Sequence, residues 1–122
     1  MGQIKSFEDL ISWQEALQLA VIIYRLTKTF PNSEQFALTN QLRRASSSIS
    51  ANIAEGFGRQ SQKEKLQFYT IAYGSLLEVK SFLYLCEKLE YCDNKHLTPI
   101  FESIVILQKR INSLLRAIRK HA

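Results

Sequence analysis

Apolar positions recur three and four residues apart along most of the chain, and no useful stretch alternates with the two-residue period of a strand. This pattern predicts four helices. The first covers about residues 7–29 and carries Leu10, Trp13, Leu17, Ala20, Tyr24 and Thr27 on one face. F30-P-N-S33 ends it, and Asn32 or Ser33 can cap the second helix, about 33–57. The stripe of that helix is Leu38, Leu42, Ala45, Ile49, Ile53 and Gly56, and Gly56 and Gly58 suit its C-terminus. S61-Q-K-E64 is a capping box that opens a third helix, about 62–90, with Phe68, Tyr69, Ala72, Leu76, Val79, Leu83 and Cys86 on a shared face. The fourth, about 95–119, begins between Asp93 and Pro99, where Thr98-Pro99 suits an N-cap and first position, and runs through Ile100, Ile104, Leu107, Ile111, Leu115 and Ile118. Short links favour antiparallel neighbours, so the expected fold is all-α: one up-down-up-down four-helix bundle over residues 1–122.

A bundle helix needs one apolar stripe. The third helix has two. Leu66, Tyr73, Leu77, Tyr84 and Tyr91 form a second band, roughly 100–140° from the first at 100° per residue. The first helix carries a similar surplus in Leu19, Ile22 and Leu26. One reading is a wide core face with scattered exposed apolar residues. The other is a subunit interface, which tyrosine suits because its ring buries area while its hydroxyl stays wet. The second reading predicts a homo-oligomer.

S48-I-S-A-N-I-A-E-G56 packs small residues on several sides of the second helix, so neighbouring backbones can come close there. Gly56 faces inward and leaves room for a large side chain, Trp13 or a tyrosine. One flank of the helix is polar, with Arg44, Asn52, Glu55 and Arg59 on it. As structure, this is a hydrogen-bond and ion-pair network in which Glu55 meets Arg59 one turn on. As chemistry, it is a carboxylate site using Arg44, Asn52 and Glu55. Glu78 is expected to be partly buried, which calls for Arg43 or Arg44 as its partner.

Composition narrows the options. A chain of 122 residues with 46% hydrophobic content is enough for one moderate core. No apolar run reaches the roughly 20 residues of a membrane span, and no signal peptide opens the chain. M1-G-Q-I-K-S6 matches a myristoylation pattern that ordinary N-termini also match. Cys86 and Cys92 lack metal-ligand spacing; Cys86 reads as a small core residue, which suits a reducing cytoplasm. His96 and His121 are too far apart to suggest a site. G56-F-G-R59 is too short for a phosphate loop and follows a helix rather than a strand. No cofactor or metal is expected. The net charge of +5 permits a nucleic-acid partner. Lys109, Arg116 and Lys120, with Arg119 beside them, form a stripe opposite the core of the fourth helix. These four are the candidate phosphate contacts. An ordinary solvated helix end is the other reading.

Q41-L-R-R-A45, N52-I-A-E-G-F-G-R59 and A72-Y-G-S-L-L-E78 resemble the bacterial four-helix-bundle family of 23S rRNA intervening-sequence proteins. W13-Q-E-A16 and F30-P-N-S-E34 fit the same pattern, and the resemblance covers nearly the whole chain. It implies a homopentamer. A related branch, the accessory variability protein of diversity-generating retroelements, associates with a reverse transcriptase and nucleic acid. The resemblance assigns no catalytic residue; Arg43, Arg44, Asn52, Glu55, Gly56, Gly58, Arg59 and Glu78 match the motif without gaining a role from it. The expected function is a non-enzymatic, self-associating adaptor with weak, sequence-independent nucleic-acid binding. The alternatives are a purely structural oligomer and an enzyme using the Arg44/Asn52/Glu55 flank.

Overall fold

The computed structural model describes residues 3–120, which leaves Met1 and Gly2 of the myristoylation pattern and His121 outside the described residues. A short 3₁₀ turn, Phe7–Asp9, leads into α1 (Ile11–Thr27), and a second, Asn32–Glu34, precedes α2 (Leu38–Gly58). Two longer helices follow, α3 (Gln62–Lys88) and α4 (Asn94–Lys120). Consecutive helices pack side by side and α1 also touches α4, which closes an antiparallel bundle; the α1–α4 seam is the loosest of the four.

The stripes expected for α2, α3 and α4 do turn inward. Leu42, Ile49, Ile53, Leu76, Val79, Leu83, Ile104, Leu107 and Ile111 are fully or almost fully buried in one core. Gly56 receives a tyrosine: a Cβ built there would lie 2.7 Å from Tyr69 Cε1. The glycines of this corner are not left-handed caps, since no described glycine has a positive φ. They give space instead of unusual backbone angles.

α1 sits in a different rotation from the expected one. Ser12, Ala16, Leu19, Ala20, Ile23 and Thr27 are buried, while Leu17 and Tyr24 are exposed. Leu19 is therefore a core residue at 2% exposure and not an interface residue. Both sides of α1 are apolar, so hydrophobicity alone does not choose between them. The buried side has Ala16 and Ala20, whose size lets neighbouring helices approach. Arg43 of α2 then fixes the C-terminal end: its Nε donates to Thr27 Oγ1 (2.8 Å) and its guanidinium lies over the Tyr24 ring.

Two helix starts and one cap also move. The first helix is broken at Leu10, which has extended backbone angles. Asn32 and Ser33 do not cap α2; Glu34 does, its Oε1 accepting from Leu38 N at 3.3 Å. Its other oxygen, Oε2, accepts from Tyr91 Oη at 2.8 Å, so one carboxylate ties the start of α2 to the α3–α4 turn. α4 begins at Asn94, within the expected range, but Asp93 rather than Thr98 caps it: Asp93 Oδ1 accepts from His96 N at 3.0 Å. The α3 end is a Schellman turn, with Tyr91 N donating to Cys86 O and Glu90 N to Glu87 O. Glu90 takes the left-handed position (φ 64°) that glycine usually fills.

Candidate nucleic-acid interface and polar sites

Lys109, Arg116, Arg119 and Lys120 are all exposed on α4. Lys109 and Lys120 are eleven positions apart, about 16 Å along the helix. Arg116 makes one local contact, its Nη2 donating to Ser113 Oγ at 3.2 Å. Arg110, between them, is held apart from this set by Glu15 of α1, with its Nε donating to Oε1 at 2.6 Å. The antiparallel topology adds what periodicity within one helix could not show. The end of α4 lies at the same end of the bundle as the start of α3, where Lys63 is exposed. Lys65 is not part of that free charge. Its Nζ donates to Phe57 O at 2.7 Å and Gly56 O at 3.3 Å, and so caps the C-terminus of α2.

The polar residues of α2 separate into unconnected sets. Arg43 faces α1, as described. Arg44 Nη2 donates to Gln41 Oε1 and, across to α3, to Glu78 Oε2 at 3.3 Å. Glu78 has the expected partner but is not partly buried: the two side chains are 58% and 46% exposed. Water reaches both, so this pair contributes little to stability. Asn52 Nδ2 donates to Ser48 O and Oγ, and Ser75 Oγ of α3 donates to Ser48 Oγ at 3.0 Å. Asn52 thus finds its partners mainly within its own helix. Glu55 and Arg59 pair at 3.0 Å, and Arg59 also reaches Glu64 at 3.7 Å and stacks on Phe68. Arg44 and Asn52 are eight residues apart, about 12 Å of helix. The Arg44/Asn52/Glu55 flank therefore does not converge on one reacting atom.

Among the interface candidates, Ile22, Leu26, Leu66, Tyr73 and Tyr91 are half-buried against the core. Leu77 and Tyr84 stand out at 44% and 51% exposure. Tyr84 stacks on Phe101 of α4 with ring centroids 4.6 Å apart. Exposed Val105 and Ile106 follow along α4. Sequence reasoning missed the outward face of α1, with Leu17, Val21 and Tyr24, and missed Phe36, which is 88% exposed in the α1–α2 connection. A helical wheel could have flagged the first once the rotation was known; nothing in the local sequence marks Phe36.

The two cysteines are neighbours at the α3 turn. Burial pushes the Cys86 thiol up to about 12, with the nearby Cys92 adding to the effect. Burial also raises Cys92. Thiols held protonated in this way are poor nucleophiles and poor metal ligands. No group of three potential metal ligands comes together among the described residues, and no described helix is long and apolar enough to cross a membrane.

Fold and surface define an all-α bundle with surplus apolar exterior and a basic helix face. The sequence profile of the 23S rRNA-intervening sequence protein family matches residues 8–113, and the chain belongs to that family. It is also similar to a crystal structure from Bacteroides thetaiotaomicron VPI-5482, described as a protein with unknown function from the S23 ribosomal protein family. That similarity has 26% identity and a TM-score of 0.79, covering 86% of this chain and 98% of the other. No curated protein matches the chain.

Proposed function

We propose that this protein is a non-enzymatic, self-associating adaptor that holds RNA or DNA, alone or together with a nucleic-acid enzyme such as a reverse transcriptase. The exposed cations Lys109, Arg116, Arg119 and Lys120 carry the reading: they lie along one helix face without a carboxylate partner among the described residues. Repeating that face in a homopentamer multiplies weak phosphate contacts into useful avidity. Self-association is supported by Leu77, Tyr84, Val105 and Ile106, large apolar side chains that a solitary chain leaves wet.

Fluorescence anisotropy with a short RNA and a duplex DNA tests the phosphate contacts. Four neutralised phosphates on a duplex give a slope of about −3.6 for log K against log salt. Replacing the four cations with Glu abolishes binding, and a protein that binds neither ligand at low salt overturns the proposal. Light scattering tests assembly: a 14.1 kDa particle at working concentration rules out the oligomer. A second reading, a structural oligomer without nucleic acid, has one observation in its favour: Arg119 and Lys120 occupy the last turn of α4, where cations also complement the helix dipole. It gains if the oligomer persists while all binding fails.

A further inference from the structure

The loose α1–α4 seam opens, near the N-terminus of α1, into a groove of about 430 Å³. Leu10, Ile11, Ile106 and Leu114 supply apolar wall. Ser12 also lines it, at 4% exposure, and Ser12 Oγ is the one buried side-chain polar atom without a hydrogen-bond partner among the described residues. A buried hydroxyl without a partner costs stability, and most such groups in folded proteins are paired. Ser12 stands in the first turn of α1, whose N-cap is Leu10, a residue with no side-chain acceptor to offer. The first amides of this 17-residue helix thus have no side-chain cap. Lys109 also lines the groove and has no carboxylate partner among the described residues. Asp9 also lines the groove, its Oδ2 turned to Lys5 N and Ser6 N, and Glu15 holds Arg110.

We infer that this groove binds a small organic acid with an alkyl or aryl body, its carboxylate accepting hydrogen bonds from Ser12 Oγ and the first turn of α1 while the hydrocarbon lies along the seam. The donor set selects the head group. A hydroxyl, helix N-terminal amides and an ammonium all favour an anionic acceptor. The apolar wall selects the body, and the volume falls in the range of small-ligand sites. The site shares Lys109 with the proposed phosphate contacts and Ile106 with the proposed self-association surface, which is why the test leaves both untouched.

Titration calorimetry of the full chain with decanoate is the direct experiment, with decanol as the uncharged control. Saturable binding is expected for decanoate and at least tenfold weaker binding for decanol. Ser12→Ala should weaken decanoate about tenfold, the typical worth of a hydrogen bond to a charged group. Ile11→Glu, at a half-exposed wall position outside the proposed self-association surface, should abolish it. Both variants should retain RNA and DNA binding, so a failure here is distinct from a failure of the adaptor reading. Absence of saturable binding into the millimolar range overturns the inference. So does binding that is unchanged in Ser12→Ala, or that maps by chemical-shift perturbation to the α3–α4 face around Tyr84.

Discussion

Gly56→Ala tests the packing of the α2–α3 corner in a single methyl group. The new Cβ would lie 2.7 and 2.8 Å from Tyr69 Cε1 and Cδ1, and 3.1 Å from Phe68 Cβ. Carbon atoms prefer about 3.5–4.0 Å, so the Tyr69 ring has to retreat by roughly 0.7 Å or more. It has little freedom to do so, being only 3% exposed. Phe68 Cβ is attached directly to the α3 backbone and moves only with the helix. Overpacking of this kind costs about 1–3 kcal/mol. Against it stands the helix preference of Ala over Gly, at most about 1 kcal/mol and less near a helix end. The net expectation is a loss of about 1–2 kcal/mol, or roughly 3–10 °C in Tm for a chain of this size. Gly58 and Gly74 are internal controls. A Cβ at either meets nothing within 4 Å, and neither has a positive φ. Their alanine variants should be neutral or stabilised, by up to about 1 kcal/mol at mid-helix Gly74. Thermal and urea unfolding followed by helical circular dichroism, at one fixed protomer concentration, measures all three. If Gly56→Ala melts at or above the wild type, as Gly74→Ala should, the close-approach account is wrong. Pairing Gly56→Ala with Tyr69→Leu supplies a further check, because the steric cost should largely vanish in the double variant.

Three further outcomes follow from the same structure. Arg43→Met removes bonds to Thr27 Oγ1 and Tyr24 O and the stack on Tyr24, and should cost about 1–2 kcal/mol in urea unfolding; no loss would show that Arg43 does not fix the rotation of α1. Tyr91 ionises above its ordinary value of 10.0, chiefly because its hydroxyl bonds Glu34, with burial and the Glu34 charge adding to the effect. A raised folded-state value means the stabilisation is fully present below about pH 10 and is lost as pH rises through that value. Tyr91→Phe should therefore remove one late-ionising tyrosine from the ultraviolet titration and flatten the alkaline loss of stability. Asp93 is held below 3.8, first by the hydrogen bond from the His96 ring and then by the His96 backbone N–H. The sign is opposite: its contribution is present above about pH 3.8 and lost as pH falls through the depressed value. Asp93→Ala should lower Tm near neutrality more than Asp93→Asn, which keeps the cap, and the wild-type advantage should shrink in acid melts.

The stripes of α2 and α4 were legible because each of those helices has one face clearly more apolar than the rest, and a 3.6-residue period then leaves a single way to bury it; α3 carries two apolar bands, of which the one through Ala72, Leu76, Val79, Leu83 and Cys86 turns inward. The small residues of S48-I-S-A-N-I-A-E-G56 likewise announced close packing and a tyrosine-sized space at Gly56. Loop shortness fixed the antiparallel order. The rotation of α1 was not legible, since Leu17 and Leu19 are equally apolar; the fit of Ala16 and Ala20 against their neighbours and the grip of Arg43 decided it. Nor were the caps. Glu34 serves α2 only because the chain first makes a 3₁₀ turn, and because Tyr91, 57 residues later, arrives to share its carboxylate. The same holds for candidate sites. Lys109, Arg116, Arg119 and Lys120 could be read from one helix, because their grouping depends on local period alone. Lys63 joins their end of the bundle, and Ser12 joins Ile106 and Lys109 in one groove, through contacts between helices distant in sequence. Local backbone geometry is set by neighbours along the chain and can be read from it. Which of two similar faces turns inward, and which polar atom is left without a partner, depends on small differences in packing that exist only once the helices meet.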